Sequence, residues 1–233
     1  MFYYFGRKGR LAPLYPPPRH DLVIEPFAGS AAYTLHWRPE HALLIDKDEA
    51  TVGLWHRLCG MTKAEILAAP GPVVGEMTGD PWHLSAMTSQ HCVAGKFRQI
   101  SSWGVRNFDR SRHHAADNVA LAVRYAYVEG TYRDAPDVDA CWYIDPPYQN
   151  VKGYRHGNKG IDYADLADFC RTRRGQVIVC EQAGADWLPF RPFSSLVSSV
   201  NTTTQEVWWT NDPRDYGGEQ LSMFRQAPEV VVR

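Results

Sequence analysis

Leu22-Val23-Ile24-Glu25-Pro26-Phe27-Ala28-Gly29-Ser30-Ala31-Ala32 is the stretch whose reading decides the fold. Its apolar opening reads as a short buried strand, and Pro26 cannot continue a hydrogen-bonded ladder. The small residues after Phe27 make a turn into a helix expected to run through about Trp37. Such a turn lets backbone amides approach a ligand closely. The next unit has the same plan. Ala42-Leu43-Leu44-Ile45 reads as a strand, Asp46 closes it, and Asp48 to Cys59 reads as a helix. Strands alternating with helices imply an α/β protein with a parallel, doubly wound sheet. In such sheets an acid roughly 20 residues beyond the turn grips ribose hydroxyls, and Asp46 stands in that position.

Further along, the apolar run Cys141-Trp142-Tyr143-Ile144 ends in Asp145-Pro146-Pro147-Tyr148. The two prolines force the chain out of the sheet. One carboxylate and one aromatic ring are thereby held at a strand's carboxyl end, where open α/β sheets bind their ligands. That pair suits a flat, amino-bearing base, because the acid can accept from an exocyclic NH2 while the ring stacks on the base.

The tetrapeptide Asp145 to Tyr148 resembles the catalytic motif of the amino-methyltransferases that modify DNA adenine at N6. Glu25-Pro26-Phe27-Ala28-Gly29-Ser30 resembles their S-adenosylmethionine motif, usually Phe-x-Gly-x-Gly, with Ala31 where the last glycine is expected. Phe5-Gly6-Arg7-Lys8-Gly9-Arg10 is similar to their N-terminal Gly-x-Lys motif, which folds over the cofactor and reaches the target base. Thr204 to Asn211 reads as a late strand, and its Glu206-to-Asn211 part resembles the Glu-x-x-x-Thr-Asn signature that ends the catalytic sheet. The order of these motifs, with a long insert before Asp145, marks the subgroup of the solitary DNA adenine methyltransferase and its phage relatives.

The resemblance implies a Rossmann-like, seven-stranded methyltransferase fold with an inserted target-recognition region. Residues 1–59 and 140–233 would form the catalytic domain and 60–139 the insert. It implies S-adenosylmethionine as cofactor and double-stranded DNA as partner, with the target base flipped out. Catalysis would fall to Asp145, Pro146, Pro147 and Tyr148. The cofactor would meet Tyr4, Lys8, Glu25, Phe27, Ala28, Gly29, Asp46 and Asp145. Three other readings stay open: a cytosine-N4 methyltransferase, whose tetrapeptide usually begins with serine; an RNA or protein methyltransferase of the same fold; and a catalytically idle DNA-binding module.

Within the insert, Thr62 to Ala69 reads as a short helix with Thr62 as cap and Glu65 three residues on. Pro81 to Val93 and Ala115 to Tyr127 are further helical candidates. Between them Lys96, Arg98, Arg106, Arg110 and Arg112 face a single acid, Asp109, with aromatics and amides interleaved. The expectation for 95–114 is a glycine-centred β-hairpin lying in a DNA groove, its arginines on phosphates or guanine edges. Lys152 and Arg155, in the glycine-rich segment after Tyr148, are expected to close over the flipped nucleotide. Asp162 is expected to cap a helix to about Arg174, and Gln176 to Glu181 to form another strand.

Composition narrows the rest. Over 233 residues the hydrophobic fraction is 44% and the net charge −1, which fits a packed core and excludes a generic polyanion binder. A DNA surface must therefore be a local basic patch. The five cysteines are scattered without zinc-ligand or redox spacing, and nothing completes a metal set around His91-Cys92 or His113-His114. They read as reduced cysteines of a cytoplasmic, monomeric protein with no metal and no membrane contact. Near the end, Gln220-Leu221-Ser222-Met223-Phe224 resembles the pentapeptide that docks bacterial replication proteins on the sliding clamp. The competing reading packs Leu221 and Phe224 back onto the domain.

Overall fold

Strand β1 (Leu22–Glu25) leads through the turn into α1 (Ala32–Trp37), and β2 (His41–Asp46) leads into α2 (Glu49–Cys59). The structure, a computed structural model, describes residues 2, 8–87, 98–150, 160–197 and 203–216. Asp48 caps α2, accepting from the Ala50 N–H at 3.1 Å and the Thr51 hydroxyl at 2.9 Å. A short acid suits that position because the first-turn N–H groups have no partner inside the helix. The helix α3 (Lys63–Ala68) opens on the Thr62–Glu65 capping box. Then come β3 (Met77–Thr78), α4 (Pro81–Met87) and β4 (Arg98–Gln99), which pairs antiparallel with β3. The long α5 (Ser102–Ala122) is followed by β5 (Ala126–Glu129), β6 (Ala140–Ile144), α6 (Tyr163–Thr172), β7 (Gly175–Gln182), β8 (Arg191–Val197) and β9 (Thr203–Thr210).

Seven strands form one sheet in the order β5-β2-β1-β6-β7-β9-β8. From β5 to β7 all pairings are parallel, while β9 runs antiparallel between β7 and β8. This mostly parallel α/β sheet is compatible with a Rossmann-like fold. Both faces of its centre are covered. Ile24, Trp142, Ile144, Val177 and Val179 pack on one side with Leu166 and Cys170 of α6. Val23, Cys141, Tyr143, Ile178, Cys180 and Trp208 pack on the other with Leu11, Tyr15 and Tyr33. Odd and even residues thus go to opposite faces, as the pleat requires. At the start of β7, Gly175 has φ +95°, and a Cβ there would lie 2.2 Å from the Ala140 carbonyl oxygen, so only glycine fits.

Two expectations for 60–139 change. The stretch read as a β-hairpin is helical from Ser102 onward. Gly104 is no turn; its N–H, in the first turn of α5, donates to the Ser101 side chain at 3.1 Å. Phe108, Ser111, Ala115, Val119 and Ala122 are buried at helical spacing, and this apolar stripe decides the conformation. The helix expected to reach Tyr127 ends at Ala122, and β5 then pairs with β2 in the main sheet. The segment 60–139 therefore supplies one of the seven sheet strands. Among the described residues no helix is long and apolar enough to cross a membrane.

Candidate active site

The strand order reverses between β1 and β6, since β2 and β5 extend one way and β7 the other. In open α/β sheets the loops that leave the carboxyl ends at such a reversal diverge and open a ligand crevice. The loops after β1 and β6 are the two carrying Gly29 and Asp145. Gly29 and Ala31 both have positive φ, 48° and 50°. An L-residue in that region costs roughly 1–2 kcal/mol. Ala31, fully buried, gains back part of this by placing its methyl group in the hydrophobic cluster that also holds Leu35 and Trp55.

Hydrogen bonds hold the first loop closed. The Gly29 N–H donates to Asp46 Oδ2 at 2.8 Å, the Asp48 N–H to Asp46 Oδ1 at 2.9 Å, and Trp55 Nε1 to the Gly29 carbonyl at 2.9 Å. Asp46 thus staples the β1 and β2 loops together at the sheet edge. Phe27 is partly buried against Tyr132, ring centroids 5.7 Å apart. Glu25 points elsewhere: 2% exposed, it accepts the Thr34 N–H of α1 at 2.8 Å. Ala31 makes no side-chain cap for that helix, so the carboxyl of Glu25 does it from the strand. Burial pushes its pKa up to about 8 against the lowering effect of the Thr34 hydrogen bonds.

The second loop is anchored along its length. Asp145 Oδ1 lies 3.3 Å from Lys8 Nζ. The Pro147 carbonyl accepts from the Tyr163 hydroxyl at 2.6 Å, and the Gln149 N–H donates to Glu181 Oε2 at 3.2 Å. The Tyr148 hydroxyl donates to Glu206 Oε2 at 2.5 Å and is also hydrogen-bonded by Lys8. Lys8 is 4% exposed and sits between two carboxylates, with Glu206 Oε2 at 3.5 Å. A buried ammonium requires such compensation. Burial raises the Asp145 pKa to about 6, with Lys8 opposing and Glu206 adding to the rise.

The chain matches no protein-family model, and no curated protein matches it.

Of the residues expected at the site, Lys8, Asp145 and Tyr148 come into direct contact, and Gly29 and Asp46 join at the neighbouring loop. Tyr4, Lys96, Lys152, Arg155 and the segment Gln220 to Phe224 lie outside the described residues. Arg98 stands in β4. Arg106 and Arg110 are exposed on α5, on the face that also bears Trp103. Arg112 turns inward, donating to the Ala69 carbonyl at 3.0 Å and pairing with Asp109, its guanidinium 5.9 Å from the Phe108 ring centroid. Glu206 and Glu181 were not expected beside Asp145. The available signal was an acid inside each otherwise strand-forming run, where a buried carboxylate needs a reason.

Proposed function

We propose that the chain is an S-adenosylmethionine-dependent methyltransferase acting on N6 of adenine in DNA. The observation that carries this reading is the pairing, across the sheet's reversal point, of a stapled glycine loop with an Asp-Pro-Pro-Tyr loop. The residues fit a cationic adenosyl cofactor in their chemistry. The β1 turn offers Phe27, Ala28 and Gly29, Asp46 adds a carboxylate at the end of β2, and Asp145 supplies negative charge opposite. In this reading the turn frames the methionine part and Asp46 takes the ribose hydroxyls. The bound cofactor would supply a methyl group on a positively charged sulfur, which keeps the electron pair of the broken carbon–sulfur bond and leaves as a neutral thioether.

Adenine N6 is a poor nucleophile because its lone pair is delocalised into the ring. Asp145 Oδ and the Pro146 carbonyl accept the two amine hydrogens and favour a more pyramidal nitrogen as its bond to the methyl carbon forms. Fixed acceptors of this kind stabilise charge that develops only in the transition state. The nitrogen becomes positive as it gains carbon, and a carboxylate with its pKa near 6 is suited to receive the departing proton. Tyr148 is the ring on which the base stacks, and the base must leave the duplex because N6 is otherwise paired. Arg106 and Arg110, with Trp103 on the same exposed face of α5, form the local basic surface for duplex DNA.

Two substitutions separate the roles. Asp145→Ala should lower methyl transfer by at least a hundredfold or so while cofactor binding by calorimetry stays close to wild type. Asp46→Ala should do the reverse first, weakening cofactor binding. An Asp145→Ala protein with near-normal transfer would overturn the mechanism, and an unchanged dissociation constant would remove Asp46 from the cofactor site.

A further inference from the structure

Glu206 lies outside the Asp145–Tyr148 loop, yet Lys8, which contacts that loop's acid and ring, and the hydroxyl of the ring itself converge on it. Because β9 is antiparallel, its first residues reach the edge where the parallel strands end, and Glu206 pairs with Gln182 at the end of β7. Its carboxylate, in a residue 5% exposed, holds the Tyr148 hydroxyl at 2.5 Å and Lys8 at 3.5 Å, while Lys8 lies 3.3 Å from Asp145. Burying a carboxylate in a sheet is unfavourable unless it is paired. The packing of β9 is supplied by Val207 and Trp208 and does not call for an acid at 206.

We propose that Glu206 is a positioning residue for methyl transfer, fixing Tyr148 by its hydroxyl and dividing the charge of Lys8 between itself and Asp145. This rests on the reading of Asp145 to Tyr148 as the methyl-transfer site. The ring of Tyr148 is held at its far end, which fixes the direction of its long axis before a base arrives. Lys8 meets both carboxylates, so the electrostatics of the acceptor depend on both. Among the described residues, the charged and titratable groups acting on Asp145 include Lys8, Glu206 and Tyr148, with Glu25, Glu181, Cys180, Tyr15 and Tyr143 also coupled to it. Removing the charge of Glu206 removes one carboxylate that competes with Asp145 for Lys8 and removes a repulsion, and both changes favour the ionised acceptor.

The test uses the full chain with Glu206→Gln, Glu206→Asp, Tyr148→Phe and the Glu206→Gln/Tyr148→Phe double variant. Methyl transfer to unmethylated duplex DNA is followed against pH. The carboxyl carbon of Asp145, assigned through Asp145→Asn, is titrated by carbon-13 NMR without cofactor. Glu206→Gln should lower kcat on the order of tenfold to a hundredfold, with KM for S-adenosylmethionine within about twofold of wild type. The acid limb of the rate and the Asp145 titration should both move to lower pH, and Glu206→Asp should recover part of kcat. The double variant should be little worse than the poorer single one, since both break the same link. An Asp145 titration that stays in place in Glu206→Gln overturns the proposal, as does a fully additive double variant. A wild-type protein that transfers no methyl group would sink the underlying reading instead, and the titration would still decide whether Glu206 acts on Asp145.

Discussion

Glu25 and Asp145 end neighbouring strands, β1 and β6, and burial favours the protonated form of both. Their surroundings then separate them. Asp145 has Lys8 beside it and reaches only about 6, so it is ionised at neutral pH and able to accept. Glu25 has a helix N–H and no cation within ion-pairing distance among the described residues, and it reaches about 8. With its folded pKa above the unfolded value, Glu25 contributes stability that is complete below about pH 4.5 and lost as pH rises through about 8. Across that window the slope from this one group approaches ~1.4 kcal/mol per pH unit. Glu25→Gln keeps the shape and cannot ionise. Denaturant unfolding at pH 5.5 and 7.5 should therefore show a smaller loss of stability in Glu25→Gln than in wild type. Identical losses in the two proteins would mean that Glu25 is not held as a neutral cap. None of this was legible from the sequence, where Glu25 is simply the acid that precedes a cofactor-like turn. Its partner, Thr34, is set by the path of the turn.

At the scale of elements, α5 separates the basic residues that the sequence groups together. Arg106 and Arg110 are exposed, whereas Arg112 ties the helix to Ala69 at the end of α3. Alanine at Arg106 or Arg110 should change stability by no more than about 0.5 kcal/mol. Each should flatten the salt dependence of DNA affinity by roughly one counterion, or cost about 1–3 kcal/mol at one base pair if it reads a base edge. Arg112→Ala should instead destabilise the fold by about 1 kcal/mol or more through the lost hydrogen bond and packing, and leave the salt slope unchanged. Electrophoretic mobility shifts at several salt concentrations, beside thermal melts, separate the cases. A flattened slope for Arg112 with none for Arg106 and Arg110 would refute this division of the helix. Caps were legible here, as Thr62 and Asp162 both open helices where they are expected, whereas Asp48, read as the first residue of α2, is its cap. The edge strands were not. β5 is four residues long and mostly exposed, and β8 carries Pro192 at an irregular register, so neither presents a clean alternating pattern.

For the whole molecule, the central strands were readable because they are buried on both faces and appear as uninterrupted apolar runs. The loops after β1 and β6 could be assigned to one sheet edge for the same reason. What brings them together, the strand order with its reversal between β1 and β6, depends on long-range pairing that no local pattern encodes. Transfer of a methyl group to adenine N6 at this edge is the proposed activity. The most direct measurement incubates the protein with methyl-labelled S-adenosylmethionine and unmethylated duplex DNA, digests the DNA and identifies the labelled nucleoside. N6-methyldeoxyadenosine from wild type, with none from Asp145→Ala, is the predicted result. Label in N4-methyldeoxycytidine, or no label in DNA from a folded protein that binds the cofactor, would contradict it.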